Sequence, residues 1–288
     1  MSDKILQELR ENTSNLDNAI DKFVEQNNRM QDPLKTEFDF LKWLDEGRMV
    51  VLGGGSGLGK TAYVLQLIYN LASKNKDKKD GVIGIYASSE MMVEELTMRL
   101  IVNQEAIKNV TMQNVRKLFN SNKLSKKQLQ QNIENAKSLL TNIPFYFLNA
   151  SRFNLKNLIE MIKASREKNP TKRIFIVIDY LQLLLLDNDS LQETNRTIKE
   201  LKDALVEYKA NAIMISALNR DAIKNNHVDM SAFKDSSMIE YTSDLAILFA
   251  FKNKNNNLTL KIGEEDRNKN EIELYAHCIK NRIGKMFS

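Results

Sequence analysis

Two hydrophobic rhythms alternate along this chain. From Met49 onward, short runs are apolar at nearly every position: Met49–Leu52, Val82–Ala87, Phe145–Leu148, Ile174–Ile178, Ala212–Ser216 and Leu245–Phe251. Between them lie longer stretches whose apolar residues recur every three or four positions, Lys60–Ser73, Val93–Asn103, Lys126–Leu140, Leu155–Lys168 and Leu191–Tyr208. The first rhythm predicts strands buried on both faces and the second predicts helices with one apolar stripe, such as Val64, Leu67, Ile68 and Leu71. Short apolar strands alternating with longer amphipathic helices predict an α/β fold, a mostly parallel central sheet flanked by helices. Ile174–Ile178, with no polar residue, is expected at the sheet centre. Two more runs, Leu258–Ile262 and Ile272–Ile279, follow with only turns between them, so the C-terminal end of the sheet is expected to be antiparallel.

The amino-terminal segment is different. Between Asp3 and Asn28 the residues Ile5, Leu9, Leu16, Ile20, Phe23 and Val24 make one apolar stripe among many charges, which predicts an amphipathic helix. A single such helix is unstable alone and needs its own domain or another subunit to cover it. Asn27–Pro33 reads as a linker, and Glu37–Leu44, with Phe38, Phe40, Leu41 and Trp43, as a second short helix. The expected organisation is a helix and linker over residues 1–33 and one large α/β domain over residues 34–288.

Composition narrows this picture only slightly. The 288 residues are 42% hydrophobic, enough for one sizeable core, and the formal net charge of +5 suits a nucleic-acid partner without requiring one. A single cysteine, Cys278, rules out an intramolecular disulfide, and with only His227 and His277 no zinc cluster is spelled out. The first residues, MSDKILQELRENTSN, lack the apolar centre of a signal peptide, and no run approaches the roughly 18 apolar residues of a membrane span. A soluble, cytoplasmic protein is expected.

The chemistry is concentrated at strand ends. Between the first strand and its helix lies Gly54-Gly55-Ser56-Gly57-Leu58-Gly59-Lys60-Thr61, which fits the Walker A pattern G-x-x-x-x-G-K-[ST] at every required position. Glycines leave consecutive backbone N–H groups open to a phosphate chain at the positive end of the following helix. Lys60 is expected to reach the β- and γ-phosphates of ATP, and the Thr61 hydroxyl to ligate Mg²⁺. A carboxylate near that cation is needed at the end of a buried strand, beside the loop strand, and Asp179 after Ile178 fits. A base for the attacking water is also needed, and Glu90 follows a strand expected to neighbour the loop strand. Glu94 and Glu95 read instead as first-turn residues complementing a helix dipole.

These residues sit in longer strings that resemble one family. Ala87-Ser88-Ser89-Glu90-Met91, leading to Met98-Arg99-Leu100, is similar to the S-L-E-M segment and following M-R-L of DnaB-family replicative helicases. Ile178-Asp179-Tyr180-Leu181-Gln182-Leu183 resembles their Walker B string I-D-Y-L-Q-L. Ser236-Ser237-Met238-Ile239-Glu240 with Asp244 resembles G-S-I-E-Q-D-A-D, and Lys280-Asn281-Arg282-Ile283-Gly284 resembles the terminal K-x-R-x-G. The likeness runs from about Leu34 to Gly284 and implies a RecA-like P-loop NTPase, an ATP-driven DNA helicase or translocase acting in replication. It further implies Arg282 as a finger reaching the ATP of a neighbouring subunit with Lys280 beside it, a homo-oligomer in the form of a hexameric ring, single-stranded DNA as partner, and a replication initiator or loader.

The likeness also has gaps. Where the family has S-Q-L-N-R, this chain has Ser216-Ala217-Leu218-Asn219-Arg220, and alanine has no amide to sense the γ-phosphate. Either a neighbour such as Asn219 takes that role or coupling between ATP and DNA is weakened. Residues 1–33 are too few for the family's helical amino-terminal domain, and they leave room only for a linker helix. The second DNA-binding loop of the family falls on Arg220–Ser237, where Arg220, Lys224 and Lys234 are the candidate phosphate contacts; with Phe233 as sole aromatic, base stacking is not expected. A RecA-type ATPase that regulates or loads other proteins without unwinding is the alternative reading.

Overall fold

The computed structural model describes residues 33–42, 44, 46–88, 90–103, 140–148, 154–181, 191–234, 236–253, 255–261 and 273–284, with isolated helical positions between 127 and 138. The expected helix over Asp3–Asn28 and most of that over Lys126–Leu140 lie outside these residues. By its contacts the chain divides into two units, Met1–Trp43 and Leu44–Ser288. In the smaller one the described residues form a helical turn, Asp39–Lys42, and the Leu34 N–H donates to the Lys42 carbonyl at 3.1 Å.

The larger unit is an α/β sandwich around one twisted sheet. Its strands are β1 (Met49–Gly53), β2 (Val82–Ser88), β3 (Phe145–Leu148), β4 (Arg173–Asp179), β5 (Ala210–Ser216), β6 (Leu245–Lys252), β7 (Leu258–Thr259) and β8 (Tyr275–Asn281). The principal helices are α1 (Lys60–Lys74), α2 (Val93–Asn103), α3 (Leu155–Lys168) and α4 (Leu191–Glu207), followed by the short α5 (Arg220–Asn225) and α6 (Ser236–Thr242). Every residue of β1, β2, β4 and β5 is buried, as the unbroken apolar runs require of strands covered on both sides.

Strand order is β3-β2-β4-β5-β1-β6-β7, with β8 also pairing β6. From β3 to β6 all pairs are parallel, whereas β7 and β8 run antiparallel to β6. The expected antiparallel C-terminal end is therefore present, although the second run starts at Tyr275, later than the apolar pattern suggested. β4 is interior, between β2 and β5, while the strand at the middle of the order is β5.

Two expectations about neighbours fail. The strand carrying Asp179 does not adjoin the loop strand, because β5 lies between β4 and β1. Nor does the strand preceding Glu90, since β2 is separated from β1 by both β4 and β5. The reason is the β1–α1–β2 crossover. A 15-residue helix is about 22 Å long at 1.5 Å per residue and can carry the chain over intervening strands, which later segments then fill. α1 packs on β2, β4 and β5, burying Val64, Leu65, Leu67, Ile68, Leu71 and Ala72.

The amino edge of the sheet is tied by charge. Asp244 accepts from the Met49 N–H at 2.9 Å and from Lys202 Nζ at 2.5 Å, and Arg48 Nη1 lies 3.4 Å from its other oxygen. Burial opposes ionisation here, but the Lys202 and Met49 hydrogen bonds and the charges of Lys202 and Arg48 outweigh it and hold the carboxyl below the usual aspartate range. A depressed folded pKa means that this stabilisation is complete at neutral pH, starts to fade near the unfolded value of about 3.9 and is lost as pH falls through the folded value. Asp244→Asn is expected to cost about 2 kcal/mol in urea unfolding at pH 7. The difference from the parent should vanish when both are measured at the acid end of the transition.

Candidate nucleotide site at the carboxyl edge

All the parallel strands deliver their carboxyl ends to one edge, where register fixes which residues meet. Gly53 is opposite Ser216, and Asp179 is opposite Ser88 on one side and Ile215 on the other. At about 4.8 Å per strand, Asp179 sits roughly 10 Å across the sheet from the end of β1. That gap is closed by the loop Gly54–Gly59, which turns back and starts α1 above it.

The loop has the backbone of an anion cradle. Gly57 and Gly59 have φ of 79° and 77°, conformations that cost an L side chain about 1–2 kcal/mol, and a Cβ at either would meet no atom within 4 Å. The space beside both glycines is open. Gly59 caps α1 without any side-chain hydrogen bond, so the first N–H groups of the helix keep their donor capacity for a ligand. Lys60 Nζ donates to the Gly54 and Gly55 carbonyls, each at 2.9 Å, which folds the ammonium back over the loop. Burial lowers its pKa, and the charges of Asp179 and Glu90 act against that lowering.

Asp179 is buried, 2% exposed, and its Oδ2 accepts from the Tyr86 hydroxyl at 2.8 Å. Burial raises its pKa; hydrogen bonds from Tyr86 and Thr61 and the charge of Lys60 work the other way, while the Glu90 charge adds to the rise. The Thr61 hydroxyl and the Asp179 carboxylate thus stand together as two hard oxygen ligands of the kind Mg²⁺ prefers. The side chains of Glu90 and Arg99 make no hydrogen bond or ion pair with any described residue, and Arg99 Nε is buried without a partner.

A cavity of about 630 Å³ joins these groups, lined among others by Gly57, Lys60, Thr61, Glu90, Asp179, Arg99 and Arg220. The predicted Gly54, Ser56 and Gly59 are also in its wall; Gly55 and Leu58 are not, and Leu58 packs beside Gly55. The donor set fits a Mg²⁺-bound nucleoside triphosphate: an open N–H cradle, an ammonium, a hydroxyl–carboxylate pair and a free carboxylate at the far end.

Other predicted residues fall elsewhere. Arg220, assigned from sequence to DNA, opens α5 at the cavity wall, while Lys224 and Lys234 are exposed beyond it. The segment is not an open loop, because Phe233 is buried, bridges to Leu218 and lies where a Cβ on Gly53 would come within 2.6 Å of its ring. Asn219 caps α5, its side chain accepting from the Asp221 N–H at 3.3 Å, and it does not line the cavity beside Ala217. Lys280 and Arg282 are at the opposite edge: Asn281 pairs with Leu245, which pairs with Val50 near the start of β1. There Lys280 Nζ donates to the Glu240 carbonyl and, at 2.6 Å, to the Ser243 carbonyl, and Arg282 Nη1 donates to the Tyr241 carbonyl at 3.2 Å. Burial and the Arg282 charge push the Lys280 pKa down to about 8.

Tyr86 and Arg99 were missed as site residues. Tyr86 puts a hydroxyl inside an otherwise apolar run, a visible anomaly, whereas Arg99 needs the three-dimensional course of α2 to be brought to the cavity.

A parallel sheet with a phosphate loop after β1, a crossover helix spanning two strands and a carboxylate on the second of them defines an α/β fold of the RecA type. Within that class the chain belongs to the DnaB-like helicase C-terminal domain family, whose model matches residues 35–287. No curated protein matches the sequence. Among solved structures, the chain is similar to one described as an ATPase domain, with a TM-score of 0.73 and 20% identity over 96% of this chain and 94% of that one. It is also similar to a DnaB-like replicative helicase whose structure addresses its interactions with primase, with a TM-score of 0.68 and 20% identity over 98% of this chain and 66% of that one. A KaiC-like protein from the hyperthermophilic archaeon Pyrococcus horikoshii OT3 matches at a TM-score of 0.51 and 17% identity over 89% and 90% of the two chains. At these identities the structural likeness establishes the fold. Among the described residues no helix is long and apolar enough to cross a membrane.

Replacing Gly59 by alanine tests the cradle. With φ at 77° and open space around it, the variant is expected to lose about 1 kcal/mol of stability from backbone strain alone, read by chemical denaturation, with no packing defect.

Proposed function

We propose that this domain is an ATP-hydrolysing motor that advances along single-stranded DNA as part of a homo-oligomeric ring, as a helicase or translocase in replication. One observation carries the reading: Lys60 and Thr61, Glu90 and Asp179, from three separate stretches of sequence, line one cavity at the carboxyl edge of the sheet.

In this reading the N–H groups of Gly57–Thr61 and the ammonium of Lys60 hold the phosphate chain, Lys60 exchanging the Gly54 and Gly55 carbonyls for phosphate oxygens. Thr61 and Asp179 hold Mg²⁺, which when bound neutralises charge on the β- and γ-phosphate oxygens. Glu90 orients a water against the γ-phosphorus and takes its proton as the new P–O bond forms and the bond to the β-phosphate oxygen breaks, leaving ADP and phosphate. Arg282 lies too far from its own cavity to take part, so its guanidinium and Lys280 serve the site of the neighbouring copy, the geometry of a finger acting in trans. Lys224 and Lys234 grip DNA phosphates, and Arg220, at the cavity wall, links that segment to the nucleotide. The amino-terminal segment, residues 1–33, binds the next subunit, and a replication initiator or loader places the ring on DNA.

Hydrolysis that rises on adding single-stranded DNA, with displacement of a strand from a forked duplex, is the expected result, and Lys60→Ala should abolish both. Turnover indifferent to DNA would favour the regulatory or loading reading, for which Ala217 at the cavity wall is the supporting observation.

The finger has its own test. Arg282→Ala is expected to lower kcat by roughly a thousandfold or more while nucleotide affinity stays within about twofold. Mixing inactive Arg282→Ala and Lys60→Ala proteins should restore part of the turnover, because one supplies intact loops and the other intact fingers. Mixtures as inactive as their components would rule the trans assignment out.

A further inference from the structure

A tyrosine in the middle of a fully buried strand needs a reason. β2 reads Val-Ile-Gly-Ile-Tyr-Ala-Ser, and Tyr86 is 0% exposed. Burying a hydroxyl without a partner is costly, so the phenol has to find one. Its partner is Asp179, at 2.8 Å, the carboxylate that ends β4.

The sheet register makes this contact. Ser88 is opposite Asp179, and Tyr86, two residues earlier, projects from the same face. That face is the one under α1, because a Cβ on Gly84, also on it, would come within 3.2 Å of Ile68. The ring is held by the sheet itself, edge-on to Phe147 with centroids 6.3 Å apart.

Asp179 therefore receives two hydroxyl donors from different elements. Thr61 sits in the first turn of α1, beside the open cavity, whereas Tyr86 is buried in the core of β2. We propose that Tyr86 is a positioning residue for the cation half of the site, its hydroxyl holding one oxygen of Asp179 so that the carboxylate is already oriented towards Thr61 and the cavity before Mg²⁺–nucleotide arrives. This rests on the proposed role of Thr61 and Asp179 in holding Mg²⁺. Partners that orient a metal ligand typically affect metal affinity 10- to 100-fold, and a positioning role predicts a defect visible only when the cation is present.

Tyr86→Phe removes the hydroxyl and leaves the ring. Binding of a fluorescent ADP analogue is measured in EDTA and then across a MgCl₂ titration, so no turnover is involved. The expected result is affinity in EDTA within about twofold of the parent, and a Mg²⁺ concentration for half-maximal tightening raised about tenfold. In an Asp179→Asn background, the added Tyr86→Phe change should have no further effect on the titration. An unchanged Mg²⁺ titration would overturn the proposal, as would equal weakening with and without Mg²⁺, which marks a hydroxyl that only supports the fold. Failure of the parent protein to bind the analogue even with Mg²⁺ would remove the nucleotide reading itself, a result separate from either of these.

Discussion

Everything at the carboxyl edge depends on α1 having to travel over two strands before β2 can begin. Because β5 and β4 occupy the space between β1 and β2, the helix starts above them, and its first turn hangs over the end of β4. That brings the Thr61 hydroxyl to Asp179 although their strands are not neighbours. Had β4 adjoined β1, the carboxylate would lie under the loop backbone, with less room for a cation and a phosphate between them.

The electrostatics follow from the same placement. A carboxylate, an ammonium and a second carboxylate are gathered at one edge, Asp179 buried, Lys60 half-buried and Glu90 exposed, and none is neutralised by a close ion pair among the described residues. Lys60 satisfies itself on loop carbonyls and Asp179 on hydroxyls, which are weaker partners than charges and easier to exchange for a charged ligand. Asp244 at the other edge shows the contrast, for there a lysine and an arginine close directly on the carboxylate and the result is a structural clamp.

Much of this was legible in the residues. Strands buried on both faces announce themselves as unbroken apolar runs, and the phosphate loop is spelled out because backbone geometry demands its glycines. Strand order was not legible: Ile174–Ile178 and Ala212–Ser216 look alike as apolar runs, and nothing local says which of them inserts next to β1. The segment after Arg220 was misleading for another reason. Its polar composition suggests an open loop, yet Phe233 is drawn into the core against Gly53, a contact between residues almost two hundred positions apart. Tyr86 shows the limit most clearly, since its sequence anomaly is plain but its partner is fixed only by register between β2 and β4.

The opposition of the two edges has a consequence for symmetry. Lys280 and Arg282 leave the amino edge while the cavity opens at the carboxyl edge, so the two surfaces that would join subunits are unlike. In the proposed reading, the Arg282 edge of one copy lies against the cavity of the next, a head-to-tail pairing of two different surfaces. Repeating such a heterologous contact either closes on itself as a ring or runs on as a fibre. An open stack of this kind always keeps one incomplete cavity at its end, and closure is what gives every copy the same complement.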